Sequence, residues 1–185
     1  QREQTKKRNK LLYQSEHDEL TGLYNKRSLN RYLEDVFEAC KLNEKELGIL
    51  FLDIDYFKQL NDRYGHGKGD EGICAVADTL KRIFPEDYVA RYGGDEFLVV
   101  MTGRDLTYVM EHAESLCAGI RECKIPNEDS EVESWLTISV GGVCAIPKEP
   151  NRVWDFLSAA DNTLYEQKKE QKGKVRFYQG EGKYL

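Results

Sequence analysis

The spacing of apolar residues predicts a mixed α/β domain. Apolar positions recur every three or four residues over 29–40, 73–84, 106–120 and 153–164, which is typical of helices with one buried face. Short apolar runs at 47–52, 88–92, 97–101, 135–143 and 175–178 predict strands. Read in order, these elements indicate an α/β (α+β) sandwich with flanking helices and an antiparallel hairpin at the centre of its sheet.

The first sixteen residues differ from the rest because they are polar and rich in lysine and arginine. No glycine or proline interrupts them, so they could form a helix, but too few apolar residues are present to bury a face. We interpret 1–16 as a helical linker from a missing N-terminal sensor region, with a disordered tail as the alternative. Residues 17–180 then form the main domain, and 181–185 form a C-terminal tail.

The overall totals exclude several functional classes. A chain of 185 residues can form one domain, and a net charge of −6 argues against a nucleic-acid-binding surface. The five cysteines form no C-x-x-C pair, which indicates reduced thiols and no zinc site. Without a signal peptide or a membrane-length apolar run, we expect a cytoplasmic fragment with no direct membrane contact, in a parent protein that could itself be membrane-anchored.

Acidic residues cluster at the ends of two predicted strands. Gly93 and Gly94 lie between the hairpin strands, where a tight turn would give both a positive φ, and Asp95 and Glu96 follow directly. A second acidic pair surrounds Ile54 at the end of the apolar run 47–52. Together these carboxylates could form an all-oxygen magnesium site. The simpler alternatives are a solvated hairpin tip and carboxylates that cap a turn.

Other polar residues allow both a structural and a functional interpretation. Asp70 follows a glycine-rich loop and suits the N-cap of the next helix, while His66 between glycines is typical of a loop but is kept as a candidate substrate contact. Lys168 and Lys172 continue the last helical stripe and could reach an anionic ligand, or could interact with the helix dipole.

Residues 93–97, Gly-Gly-Asp-Glu-Phe, resemble the signature of the GGDEF family of bacterial diguanylate cyclases, which join two GTP into cyclic di-GMP. Further matching segments lie at 18–27, 51–70, 138–143 and 160–165, in the order of the family. The resemblance covers about 18–178 and implies a βαββαβ core similar to polymerase palms and adenylyl cyclases.

The resemblance also implies roles for individual residues. Metal ligands, for Mg²⁺ or Mn²⁺, would be Asp53, the carbonyl oxygen of Ile54, Asp95 and Glu96, and the three carboxylates would also be catalytic. Asn61 and Asp70 match positions that bind the guanine edge, which replaces the N-cap interpretation of Asp70. The backbone amides of Phe57 and Lys58 would meet the β- and γ-phosphates, with Lys168 and Lys172 closing over them.

The implied reaction requires two copies of the domain. One domain binds one GTP, so the attacking hydroxyl has to come from a second domain facing the first. The resemblance therefore implies a homodimer, paired by a sensor through the N-terminal helix. The alternatives are a catalytically silent nucleotide-binding or dimerisation module and, less favoured because of Asp70, a cyclase with an adenine-containing product.

Two departures from the family pattern matter. Gln171-Lys172-Gly173 replaces the usual Gly-Arg-Asn, so the triphosphate loses a bidentate arginine. The product-inhibition motif R-x-x-D keeps Asp87 but has Phe84 where arginine is expected, and Arg82 is displaced by two residues. We therefore predict no feedback inhibition at that surface.

Overall fold

The computed structural model describes residues 1–180 and Leu185, and it contains a five-stranded sheet with six helices. The predicted tail therefore lies outside the described residues except for Leu185. The helices are α1 (Arg2–Glu16), α2 (Lys26–Leu42), α3 (Phe57–Tyr64), α4 (His66–Ile83), α5 (Leu106–Glu122) and α6 (Val153–Glu170). The strands are β1 (Leu47–Ile54), β2 (Tyr88–Arg91), β3 (Glu96–Thr102), β4 (Ile138–Ala145) and β5 (Val175–Phe177).

The strand order is β2-β3-β1-β4-β5, which confirms the mixed α/β class. β1 pairs antiparallel with β3 and β4, and β5 runs parallel to β4. The centre of the sheet is β1 rather than the hairpin, whose strand β2 forms an edge. The reason is burial: all eight residues of β1 are buried, whereas β2 has only four residues and is half-exposed at both ends.

Helices cover both faces of the sheet, and alternate residues of β1 belong to different cores. Leu50, Leu52 and Ile54 pack in the core that includes α4 and α5. Leu47, Ile49 and Phe51 pack in the core that includes α2 and α6. Because strand side chains alternate, Asp53 continues the second series and faces α6.

Helix α1 forms, as the sequence predicts, but none of its residues is buried by the described part of the chain. Its C-terminal half exposes Leu11, Leu12 and Tyr13, which are 58%, 52% and 55% accessible. Ring stacking joins this end of α1 to the sheet, because Tyr13 stacks on His17, which stacks on Tyr24. Among the described residues, none of the helices combines the length and apolar character needed to cross a bilayer.

Helix α4 begins earlier than the sequence indicates. The residues alone indicated a glycine-rich loop before Asp70 and a helix that begins there, but α4 starts at His66 and places Asp70 in its second turn. Gly65, at φ 88°, separates α3 from α4. Packing requires a glycine at position 69, because a Cβ there would lie 1.9 Å from Oδ1 of Asn61, whereas a Cβ on Gly67 would meet nothing within 4 Å.

Candidate active site

Asp53 and Glu96 are directly opposite each other on the antiparallel strands β1 and β3. Residues in this register project from the same face, so both side chains lie on the α6 side of the sheet. Asp95 is joined to the same place through its backbone, because its carbonyl oxygen accepts a hydrogen bond of 3.2 Å from the Ile54 amide. The fold therefore brings the two predicted acidic clusters together.

Asp53 lies in an environment with excess negative charge. Its side chain is buried, Oδ2 accepts a hydrogen bond from Nζ of Lys168, and Oδ1 has no partner among the described residues. Burial raises the pKa of Asp53 to about 6, assisted by Asp55 and Asp95 and opposed by Lys168. Burial also opposes the charge of Lys168, but the hydrogen bond and charge of Asp53 outweigh it and raise the lysine pKa.

Glu96 lies in the same environment of excess negative charge. Burial and the charges of Asp95 and Asp161 raise its pKa, while Lys168 and Lys26 act in the opposite direction. Carboxylates whose charge is incompletely balanced favour a bound cation. The arrangement is therefore suited to bind a positive ion or to hold a proton.

Asp55, the second carboxylate of the pair around Ile54, does not join Asp53 in the site. It is 1% exposed and accepts hydrogen bonds from the hydroxyls of Thr137 (2.8 Å) and Ser139 (2.6 Å). Burial raises its pKa even with these bonds in place. Asp55 thus fastens the end of β1 to β4 and is unavailable as a ligand.

The hairpin turn differs from the predicted two-residue turn. Four residues, 92–95, connect β2 and β3, and neither Gly93 nor Gly94 has a φ in the left-handed region. A four-residue loop does not need the mirror-image turn that requires positive φ at both positions. Gly93 is required for space instead, because a Cβ there would lie 2.9 Å from Oε2 of Glu96.

The donor set fits Mg²⁺ chemically, since every candidate ligand is oxygen. Within the described residues, no group of three or more His, Cys, Asp or Glu side chains is arranged to hold a metal ion. The unpartnered Oδ1 of Asp53 is nevertheless a buried acceptor directed at no protein donor. Mg²⁺ commonly uses one or two carboxylates and takes its other ligands from water and substrate phosphates.

Arg91 is a site residue that sequence analysis missed. Its Nε donates to the carbonyl oxygens of Gly93 and Gly94 at 3.2 Å, and Nη2 donates to that of Gly94 at 2.8 Å. Asp18 pairs with Nη1 of the same guanidinium. The D-E-L-T-G segment at 18–22 is part of the resemblance, but its sequence position gave no indication of this contact.

The predicted guanine contacts lie on two adjacent helices. Asn61 is on α3 and packs against Gly69 of α4, and its Oδ1 is buried without a partner among the described residues. Asp70 is exposed and directly follows Gly69. His66 is exposed at the first position of α4. A buried unpaired acceptor beside an exposed carboxylate is suited to bind N–H donors of a ligand.

Two of the four predicted phosphate contacts, Lys168 and Lys172, line a cavity of about 290 Å³, and the other two directly follow Tyr56, which also lines it. Phe57 and Lys58 are the first two residues of α3, where amide groups have no helical partner. Lys168 and Lys172 line the cavity, with Nζ of Lys172 lying 4.2 Å from the ring centroid of Tyr56. Because α6 ends at Glu170, Lys172 lies beyond the helix rather than on its continuing stripe.

Comparison with known proteins agrees with this geometry. Residues 15–174 match the family model described as "Diguanylate cyclase, GGDEF domain". The chain is 33% identical over 161 residues to "Probable diguanylate cyclase DgcC" of Escherichia coli, covering 86% of this chain and 42% of that protein. An uncharacterised membrane protein of Staphylococcus saprophyticus is 31% identical over the same length, covering 86% and 45%. The chain thus spans under half the length of these two relatives.

Solved structures show the same fold. The GGDEF domain of DgcB from Caulobacter crescentus, in complex with c-di-GMP, is 26% identical with a TM-score of 0.81, covering 89% of this chain and 96% of that one. Diguanylate cyclase SiaD from Pseudomonas aeruginosa, in complex with its activator SiaC, is 27% identical with a TM-score of 0.77, covering 95% and 68%. From its family-model match, its carboxylate geometry and its fold, this chain belongs to the GGDEF domain family of diguanylate cyclases.

Proposed function

We propose that the chain is an active diguanylate cyclase domain, which condenses two GTP into cyclic di-GMP and releases two pyrophosphates. The observation that carries the proposal is the pairing of Asp53 with Glu96 on one sheet face, where Oδ1 of Asp53 has no hydrogen-bond partner in the described part of the chain. The names of the relatives support it, since DgcC is named "Probable diguanylate cyclase" and the DgcB structure is a complex with c-di-GMP.

The residues of this chain divide the work of binding GTP. Asn61 and Asp70 accept hydrogen bonds from N1–H and N2–H₂ of guanine, donors that adenine lacks in this arrangement. His66, at the exposed start of α4, borders the same nucleotide. The amides of Phe57 and Lys58 meet the β- and γ-phosphates at the positive end of α3.

Lys168 and Lys172, which line the 290 Å³ cavity together with Tyr56, complete phosphate binding. In the structure Lys168 is paired with Asp53, so it exchanges this partner for a phosphate oxygen when substrate enters. That exchange leaves the full charge of Asp53 available to a cation. Lys172 supplies a second positive charge in place of the family's arginine.

Asp53, the carbonyl oxygen of Ile54 and Glu96 would hold Mg²⁺ or Mn²⁺. When bound, the ion neutralises phosphate charge, acidifies the attacking hydroxyl and stabilises the leaving pyrophosphate. Glu96 is assigned to the ion because it shares a face with Asp53. Asp95, beside it, is assigned to the 3′-hydroxyl, whose oxygen attacks the α-phosphorus as pyrophosphate departs.

The active site is complete only between two domains. Each domain binds one GTP, so two domains in antiparallel orientation must present the two nucleotides to each other. The exposed Leu11, Leu12 and Tyr13 of α1 are suited to pair two copies under the control of a sensor region.

We also propose that the described part of the chain lacks the product-inhibition site of the family. Phe84 is 1% exposed and belongs to the core, so it cannot present a side chain to a ligand. Arg82 lies against α5, with a guanidinium nitrogen 3.2 Å from the Cβ position of Gly119. The side chain of Asp87 is 4% exposed and lies 3.9 Å from Arg104.

Incubation with GTP and Mg²⁺, followed by mass analysis of the products, tests the proposal. We expect cyclic di-GMP from the wild type, none from Glu96→Ala, and no dinucleotide from ATP. GTP binding without any product, even when two domains are fused, would instead indicate a silent binding module.

A further inference from the structure

The turn between β1 and α3 has an unfavourable backbone conformation at Tyr56. This residue has φ 53° and ψ 37°, the left-handed region that residues with a side chain rarely adopt. Its carbonyl oxygen accepts the first hydrogen bond of α3, from the amide of Leu60 at 3.1 Å. The conformation of Tyr56 therefore sets where the amides of Phe57 and Lys58 point, and it has to be held by neighbouring contacts.

Asn127 supplies one of these contacts. It is fully buried, and its Nδ2 lies 3.4 Å from the carbonyl oxygens of both Asp55 and Tyr56. Its own backbone is fixed, since its amide donates to the carbonyl of Ser134 at 2.8 Å and its carbonyl accepts from the amide of Ser130 at 3.0 Å. Asn127 is thus a rigid donor directed at the turn that opens α3.

Two contacts hold the side chain of Tyr56. Its hydroxyl donates to Oε2 of Glu131 at 3.1 Å, which fixes the ring against the 126–135 segment. The ammonium of Lys172 lies over the same ring, 4.2 Å from its centroid. Tyr56, Lys168 and Lys172 all line the same 290 Å³ cavity.

We propose that Asn127 and Tyr56 are positioning residues for the triphosphate of GTP. Asn127 orients the turn whose amides face the β- and γ-phosphates, and the Tyr56 ring orients the ammonium of Lys172. A lysine lacks the rigid fork of an arginine, and a cation–π contact restores part of its fixed direction. The proposal rests on the proposed function for the identity of GTP.

Binding of 3′-deoxy-GTP and of GMP, each measured separately with Mg²⁺, tests the proposal without turnover. The first compound lacks the attacking 3′-hydroxyl, and the second lacks the pyrophosphate leaving group. GMP retains guanine and ribose but lacks the β- and γ-phosphates. Tyr56→Leu is expected to weaken 3′-deoxy-GTP about two- to fivefold, the range of an exposed cation–π contact, and to leave GMP unchanged. Tyr56→Phe, which keeps the ring, should retain most of the affinity.

Coupling and charge controls separate the ring contact from simple loss of charge. Lys172→Gln combined with Tyr56→Leu should be no weaker than Lys172→Gln alone. Lys169→Gln is the matched control, since Lys169 lies 5.0 Å from the ring centroid of the exposed Tyr165 and has no role in the cavity. This control should bind 3′-deoxy-GTP within about twofold of the wild type.

Asn127→Ala is expected to weaken 3′-deoxy-GTP about tenfold, because the buried turn carbonyls lose their donor. If this variant fails to fold, Asn127→Ser, which also removes the Nδ2 donor but keeps a small polar side chain, replaces it and should weaken 3′-deoxy-GTP without changing GMP. Equal losses for 3′-deoxy-GTP and GMP, or an unaffected Tyr56→Leu variant, would overturn the proposal. A wild type that binds 3′-deoxy-GTP more tightly than GMP yet makes no cyclic di-GMP would contradict the cyclase assignment while leaving this proposal intact.

Discussion

Both carboxylate oxygens of Asp18 lie 3.2 Å from Nη1 of Arg91, and the same guanidinium holds the carbonyl oxygens of the hairpin turn. Burial alone would raise the pKa of Asp18, but hydrogen bonds from Thr21 and Arg91 outweigh burial and lower it. The segment before α2 is therefore tied, through one arginine, to the turn that contains Asp95 and directly precedes Glu96.

Arg91→Ala is expected to lower cyclase activity more than it lowers stability. Without the guanidinium, the Gly94 carbonyl loses a donor and the turn can shift, and small displacements of catalytic groups cost up to about 10²-fold in rate. The loss of charged, partly buried hydrogen bonds should reduce the free energy of unfolding by about 1–3 kcal/mol. Initial rates and thermal unfolding measure the two effects.

Arg176→Ala is the control for this prediction. Arg176 also forms ion pairs, with Glu166 and Glu170, but these are exposed and remote from the hairpin. Its removal should change stability by under about 1 kcal/mol and leave the rate unchanged. Equal rate losses in the two variants would show that Arg91 has no specific role at the turn.

Asp53→Asn is expected to abolish activity and yet stabilise the fold at neutral pH. The folded-state pKa of Asp53 is about 6, above its ordinary 3.8, so the folded state disfavours the charged form above pH 6. As the pH falls from 6 towards 3.8, the folded wild type takes up the proton and gains stability relative to the unfolded chain. The gain in the free energy of unfolding from Asp53→Asn should therefore be largest above pH 6 and should decrease at lower pH.

We expect this advantage to be about 1 kcal/mol at pH 7.5, because the lost pairing with Lys168 offsets part of the gain. Denaturant unfolding of both proteins from pH 4.5 to pH 8 measures it. A variant less stable than the wild type throughout this range would show that the lysine pair outweighs the cost of burial.

Gly93→Ala and Gly94→Ala are expected to differ although the two positions are adjacent. A Cβ on Gly93 would lie 2.9 Å from Oε2 of Glu96 and would displace the carboxylate, whereas a Cβ on Gly94 meets no described atom within 4 Å. If Mg²⁺ binds through Glu96, saturating Mg²⁺ should raise the melting temperature of the wild type and of Gly94→Ala. The same addition should have a smaller effect on Gly93→Ala, and identical shifts in the two variants would exclude Glu96 as a ligand.

Cyclic di-GMP is expected not to inhibit the enzyme at micromolar concentration. The core position of Phe84 and the packing of Arg82 against α5 leave the inhibitory motif without its arginine. Titration of product into a reaction at fixed GTP measures this. Micromolar inhibition that disappears in Asp87→Ala would contradict the prediction.

Part of this structure could be predicted from local sequence alone. The apolar run 47–52 predicted a strand, which β1 confirms, and asparagine is a residue type that favours the N-cap position that Asn25 occupies, where its Oδ1 accepts from the Ser28 amide at 3.0 Å. Asp53 and Glu96 could be expected to meet because each lies at the end of a strand. In such cases the information lies in neighbouring residues and in periodicity.

Other contacts depend on packing between distant segments. Asp18 and Arg91 are 73 residues apart, and Asn127 is 71 residues from Tyr56, so no local pattern links them. The start of α4 was misplaced because its glycines suggested a loop. Close packing of Gly69 against Asn61 makes a glycine favourable within that helix.

The dependence of the initial rate on protein concentration tests the central claim most directly. A cyclase whose active site forms between two domains should make cyclic di-GMP from GTP and Mg²⁺ at a rate that rises more steeply than linearly with protein, until the dimer saturates. Fusing two domains should remove this dependence. A rate strictly proportional to protein concentration in a verified monomer would contradict the two-domain active site, and absence of product from the fused dimer would contradict the cyclase assignment.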